Sequence, residues 1–61
     1  VRTIEVKRKL PSSTSFDDFW LMVEHEAMKA SPSGYADVSV HGSVATNTPG
    51  ISIYRGSFKI D

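Results

Sequence analysis

Only one stretch of this chain carries apolar residues at helical spacing. Phe16, Phe19, Trp20, Val23, Ala27 and Ala30 fall on one stripe. The spacing predicts a helix from about Phe16 to Ala30. Ser13, Thr14 and Ser15 are all candidate N-caps, and Ser15 followed by Asp18 resembles a capping box with Asp in place of Glu. Asp17 and Asp18 sit where a helix N-terminus favours negative charge. Ser31-Pro32-Ser33-Gly34 ends the pattern, because proline biases the preceding residue away from helix and glycine supports a turn. One amphipathic helix cannot bury its stripe by itself, so the rest of the chain must supply an apolar surface.

The flanking segments have a period of two. Ile4, Val6 and Leu10 lie on one side of residues 2–10, with Thr3, Glu5, Lys7 and Lys9 on the other. Arg8 interrupts the apolar side, so this strand is expected to end or reach an edge there. Pro11-Ser12-Ser13 breaks it. In residues 36–44, Ala36, Val38, Val40, Gly42 and Val44 oppose Asp37, Ser39, His41 and Ser43. Thr46-Asn47-Thr48-Pro49-Gly50 reads as a turn, with Pro-Gly placed for type II. Ile51 and Ile53 resume an apolar face, but Phe58 and Ile60 follow at the other parity. A β-bulge at Gly56 would restore both pairs to one face, and a tight turn there is the alternative.

The element order is therefore β-α-β-β. The expected fold is α+β: a single two-layer domain over residues 1–61, with one helix on a three-stranded mixed sheet. The helical stripe is expected against Ile4, Val6, Val38, Val40, Ile51 and Ile53. If the first two strands are neighbours, the helical crossover makes them parallel and right-handed. The last two should form an antiparallel hairpin.

Size then limits function. The chain has 61 residues, no cysteine and two histidines. A domain of this size buries only about 60% of the surface its unfolded chain exposes. Neither disulfides nor a cysteine-based zinc site can add stability, which leaves oligomerisation or tight packing. The longest apolar run, Phe19-Trp20-Leu21-Met22-Val23, is far short of a membrane span. The opening Val1-Arg2-Thr3-Ile4-Glu5 lacks a signal-peptide pattern, and a cytoplasmic location is expected. The net charge of zero hides an asymmetry: residues 1–10 carry +3, residues 11–40 carry −4 and residues 41–61 carry +1. The basic segment either neutralises the acidic one or forms a local phosphate-binding strip.

No arrangement suited to catalysis emerges. His25 stands between Glu24 and Glu26, but consecutive helical residues point in different directions. A two-histidine zinc pattern needs a second histidine at position 29, which is Lys. His41 and Ser39 share a strand face without a nucleophile elbow or an orienting acid. Asp17 and Asp18 are better explained by the helix N-terminus. The four glycines are dispersed and make no phosphate loop. No catalytic residue, metal site or cofactor is expected.

Two surfaces stand out. On a helical wheel, Leu21 and Met28 fall nearly opposite the main stripe, with His25 between them and Met22 to one side. A two-layer domain should leave that side wet, so Leu21, Met22, His25 and Met28 are the expected protein-partner surface. The other surface is the polar sheet face. Lys7, Lys9, Arg55 and Tyr54, with His41, are expected to gather there, and lysines on phosphates with bases stacked on tyrosine would suit a nucleic acid.

Thr3-Ile4-Glu5-Val6, the helix, Ala36-Asp37-Val38-Ser39-Val40 and Gly50-Ile51-Ser52-Ile53 together resemble the DinI-like proteins, small DNA-damage-response modulators of RecA filaments. That family has an N-terminal strand of the type RIEV, a helix, and strands of the types VSVR and LSV-G. The resemblance covers most of residues 3–56 and implies the β-α-β-β layout. The family continues into a second, acidic helix tied to filament binding. Residues 1–61 contain no counterpart, so no functional residue carries over. The expectation is a small non-catalytic interaction or regulatory module of phage or plasmid type, acting as a homodimer or on a larger protein. The alternative is a nucleic-acid binder using the basic sheet face.

Overall fold

The computed structural model describes residues 1–61. It contains β1 (Arg2–Pro11), α1 (Phe16–Ala30), β2 (Ala36–Ala45) and β3 (Ile51–Ile60). The helix begins and ends as its caps dictate. The Asp18 N–H donates to Ser15 Oγ at 3.1 Å, and Ser31, before Pro32, donates its N–H to the Ala27 carbonyl at 2.9 Å. The Pro49–Gly50 turn takes the type II form: Gly50 has φ +80°, and the Ile51 N–H donates to the Thr48 carbonyl at 3.2 Å.

The strand order is β1-β3-β2, and both pairings are antiparallel. This corrects the expected mixed sheet. A parallel pair would require β1 and β2 to be neighbours, but β3 lies between them. β1 and β2 run the same way without touching, so the helical crossover spans an intervening strand. This is a split β-α-β arrangement.

The buried face of β3 also differs from the expected one. β1 and β3 pair over their full lengths, from Arg2 opposite Ile60 to Pro11 opposite Ile51, with no interruption. β3 has no bulge at Gly56. The register shifts lie in β2, between Ala36 and Ser39 and between Val40 and Gly42. The even positions of β3 therefore face α1 along the whole strand. The core is Val6, Phe19, Val23, Ala27, Tyr54, Phe58 and Ile60, with Ile4, Leu10, Tyr35, Val38 and Val40 packed around it. Ile51 and Ile53 fall on the opposite, open face. Phe16, Trp20 and Ala30, expected on the buried stripe, remain exposed.

Tyr54 and Gly56 explain the choice of face. Tyr54 is 2% exposed, and its ring lies 5.4 Å from that of Phe19 and 5.9 Å, edge-on, from that of Phe16. Its hydroxyl donates to the Thr14 carbonyl at 2.7 Å, which satisfies the buried polar end. At Gly56 the helix descends onto the sheet. A Cβ there would stand 2.7 Å from the Ser39 carbonyl oxygen and 2.8 Å from Val23 Cγ2. The helix thus sits over β2 and β3, and β1 is left beside it rather than beneath it.

Candidate functional site

β1 lies at one edge of the sheet, and its outward backbone can be deduced. The Ser12 N–H donates to the Gly50 carbonyl at 2.8 Å, extending the β1–β3 ladder by one residue. Antiparallel ladders alternate, so Leu10, Arg8, Val6 and Ile4 turn their N–H and C=O groups toward β3. Lys9, Lys7, Glu5 and Thr3 turn theirs outward. Pro11 falls in the outward set, where its missing N–H disturbs no internal bond.

The other edge is shaped differently. β2 carries two register shifts, a left-handed Asp37 with φ +54° and a Gly42 with φ +131°. The Trp20 indole N–H donates to the Val38 carbonyl at 3.4 Å. Bulges and covering side chains are how sheet edges are kept from pairing. β1 has no bulge, and on its outer side only the Lys7 carbonyl is met, by its neighbour Arg8.

Beside β1, on the helix side, lies a groove of about 250 Å³ lined by Val6, Arg8, Leu21, Met22, His25 and Glu26. It exists because α1 is displaced toward β2 and β3. Leu21 is 57% exposed and Met22 38%. Arg8 Nη2 and Glu26 Oε1 close one wall with a 3.1 Å ion pair, and Arg8 Nη1 also donates to the Lys7 carbonyl at 2.8 Å. Of the four residues expected to bind a partner, Leu21, Met22 and His25 meet here. Met28 is exposed but lies outside the groove lining. Sequence reasoning missed Val6, Arg8 and Glu26 as its other walls. Arg8 breaking the apolar alternation of β1 was the visible signal.

The open sheet face gathers the basic residues. Lys7 and Arg55 are direct cross-strand partners, and Lys9 opposes Ile53. Arg55 Nη2 is 4.0 Å from Glu5 Oε1, and Lys59 pairs with Asp37 at 3.2 Å. Tyr54 is not on this face. It points into the core, because β3 keeps one phase throughout. The face thus has no tyrosine on which a base could stack. Its other feature is a 2.8 Å hydrogen bond between His41 Nε2 and Ser57 Oγ. His41 reaches Ser57 rather than Ser39 because the Val40–Gly42 shift turns it across the sheet. The hydroxyl of Ser39 instead donates to the Asp37 carbonyl at 3.2 Å. The His41–Ser57 pair is not part of the groove beside β1.

No group of three or more His, Cys, Asp or Glu side chains is placed to hold a metal ion. No helix is long and apolar enough to cross a membrane. No family model, no curated protein and no solved structure matches the chain.

Proposed function

We propose that this chain is a non-catalytic interaction module that takes up an extended segment by strand addition along β1. The contrast between its two edges carries this reading: β2 is bulged and capped by Trp20, while β1 is regular over ten residues with no strand on its outer side, where only the Lys7 carbonyl is met, by its neighbour Arg8. Strand addition draws affinity from backbone groups and specificity from alternate side chains. Here Thr3, Glu5, Lys7 and Lys9 offer the backbone groups. Leu21, Met22 and His25 meet the side chains that project on the helix side. A random peptide library selected against the chain tests the reading, with amide shifts mapping where each selected peptide lies. Shifts on β1 and the groove are expected, with binding weakened by Leu21→Asp or Met22→Asp and unchanged by Met28→Asp. Peptides that map to β2 or to the open sheet face would sink it.

The Lys7–Arg55 pair favours a second reading. Like charges directly opposite each other destabilise a sheet; Glu5 reaches Arg55 at 4.0 Å, but Lys7 has no ion-pair partner, and Lys9 extends the same patch. A phosphate backbone would supply that partner. The expected signature is oligonucleotide binding that falls steeply with salt and is weakened by Lys7→Glu with Lys9→Glu. Affinity indifferent to both changes would reject it.

A further inference from the structure

We infer that the segment taken up by β1 is the β1 strand of a second copy of this chain, paired antiparallel about a two-fold axis at Val6. This rests on the strand-addition reading and adds the identity of the occupant. A two-fold axis perpendicular to the sheet keeps both helices on one side of a continuous six-stranded sheet. It also requires facing residues to share parity. Only a few registers then remain, and charge separates them.

Centred on Val6, the pairing sets Glu5 opposite the partner's Lys7 and, by symmetry, Lys7 opposite the partner's Glu5. Thr3 faces the partner's Lys9, Ile4 faces the partner's Arg8, and Val6 meets the partner's Val6 on the axis. Thr3, Glu5, Lys7 and Lys9 all fall in the hydrogen-bonded pairs, and the Lys7 carbonyl, which accepts from Arg8 within one copy, takes a backbone N–H as well or instead. Centring on Glu5 instead would set Glu5 against itself and Arg8 against the partner's Arg2. Centring on Lys7 would set Lys7 against itself and place Pro11, which has no N–H, in a bonded position opposite Thr3. Moving further shortens the ladder or adds like-charge contacts.

The Val6 register also resolves a conflict within one copy. Lys7 opposes Arg55 on its inner side, and the partner's Glu5 would flank it on the outer side. Charged edge residues usually guard against pairing. On β1 the same charges select one register. Leu21 and Met22 of both copies then border the seam over Val6.

Sedimentation equilibrium tests this on four samples: the natural chain, Glu5→Lys, Lys7→Glu, and an equimolar mixture of the two variants. The natural chain is expected to dimerise. Each single substitution turns two attractive contacts into two repulsive ones and should weaken the dimer by roughly tenfold. In the mixture every introduced charge meets its opposite, so a heterodimer of natural affinity should form. Both positions are exposed, and circular dichroism checks that each variant stays folded. A chain that is monomeric at every concentration overturns the inference, as does a dimer indifferent to both substitutions or a mixture no tighter than the single variants. A monomer whose β1 still captures library peptides keeps the strand-addition reading and loses only the second copy.

Discussion

The Tyr54 hydroxyl donates to the Thr14 carbonyl at 2.7 Å across forty residues of chain, with the Ser12 and Pro11 carbonyls at 3.2 and 3.3 Å. One buried side chain on the central strand thus fastens the whole β1–α1 connection. Tyr54→Phe keeps the ring contacts with Phe16 and Phe19 and removes only the donor. A loss of about 1–2 kcal/mol is expected, since a part-buried carbonyl loses its partner. For a domain of this size that is a fall in Tm of about 4–8 °C per kcal/mol, measurable by circular dichroism. An unchanged Tm would mean that water replaces the hydroxyl at no cost.

Gly56 is expected to tolerate no side chain. A methyl group there meets the Ser39 carbonyl oxygen, Val23 Cγ2 and Phe19 Cε2 at 2.7, 2.8 and 3.3 Å. The nearest atom is backbone and cannot rotate away. Gly56→Ala should cost about 1–3 kcal/mol through overpacking. Urea titration checks this. The midpoint should drop while the slope stays constant, and a midpoint within error of the natural chain would contradict the packing.

Ser15 caps α1 through the Asp18 N–H. Ser15→Ala should lose about 1 kcal/mol, and Ser15→Asp should retain most of the stability. Thermal melts of the two variants separate a capping role from a merely exposed one, which would leave both unchanged.

Tyr35 ionises above the usual 10.0. Packing that strips water from the phenolate is the main cause, followed by repulsion from the Glu24 carboxylate. The folded pKa is raised above the unfolded one. Its contribution to stability is therefore complete below the unfolded pKa and is lost as pH rises through the folded value. In an alkaline titration followed by tyrosinate absorbance, the component removed by Tyr35→Phe should titrate above 10.0. Glu24→Gln should bring it part of the way back. A Tyr35 component at or below 10.0 would refute the assignment.

The helix was legible from the residues alone, because Ser15, Asp18 and Pro32 mark its ends by local chemistry. The three strands and the Pro49–Gly50 turn were legible for the same reason. The orientation of β3 was not. Period two defines two faces without saying which is buried, and Ile51 and Ile53 pointed to the wrong one. The buried face instead carries Ser52, Tyr54 and Gly56, whose fitness depends on distant partners: the Ser12 hydroxyl at 2.7 Å from that of Ser52, the carbonyls around Tyr54, and the approach of Val23 to Gly56. Strand order was hidden likewise, since alternation does not encode neighbours. Within the candidate site, Leu21, Met22 and His25 were visible as apolar or titratable residues on the wet side of a helix. The free edge of β1 became apparent only once β3 was placed at the centre.

That central position also governs when the sheet can exist. β1 and β2 each pair with β3 and never with each other, so neither has a partner until residues 51–60 have been made. α1 rests on the same strand at Gly56, and the turn before it waits for Tyr54. A ribosome-bound chain stopped before Ile51 therefore holds no ladder and no closed core. Its first two strands stay open to other chains until the last one arrives.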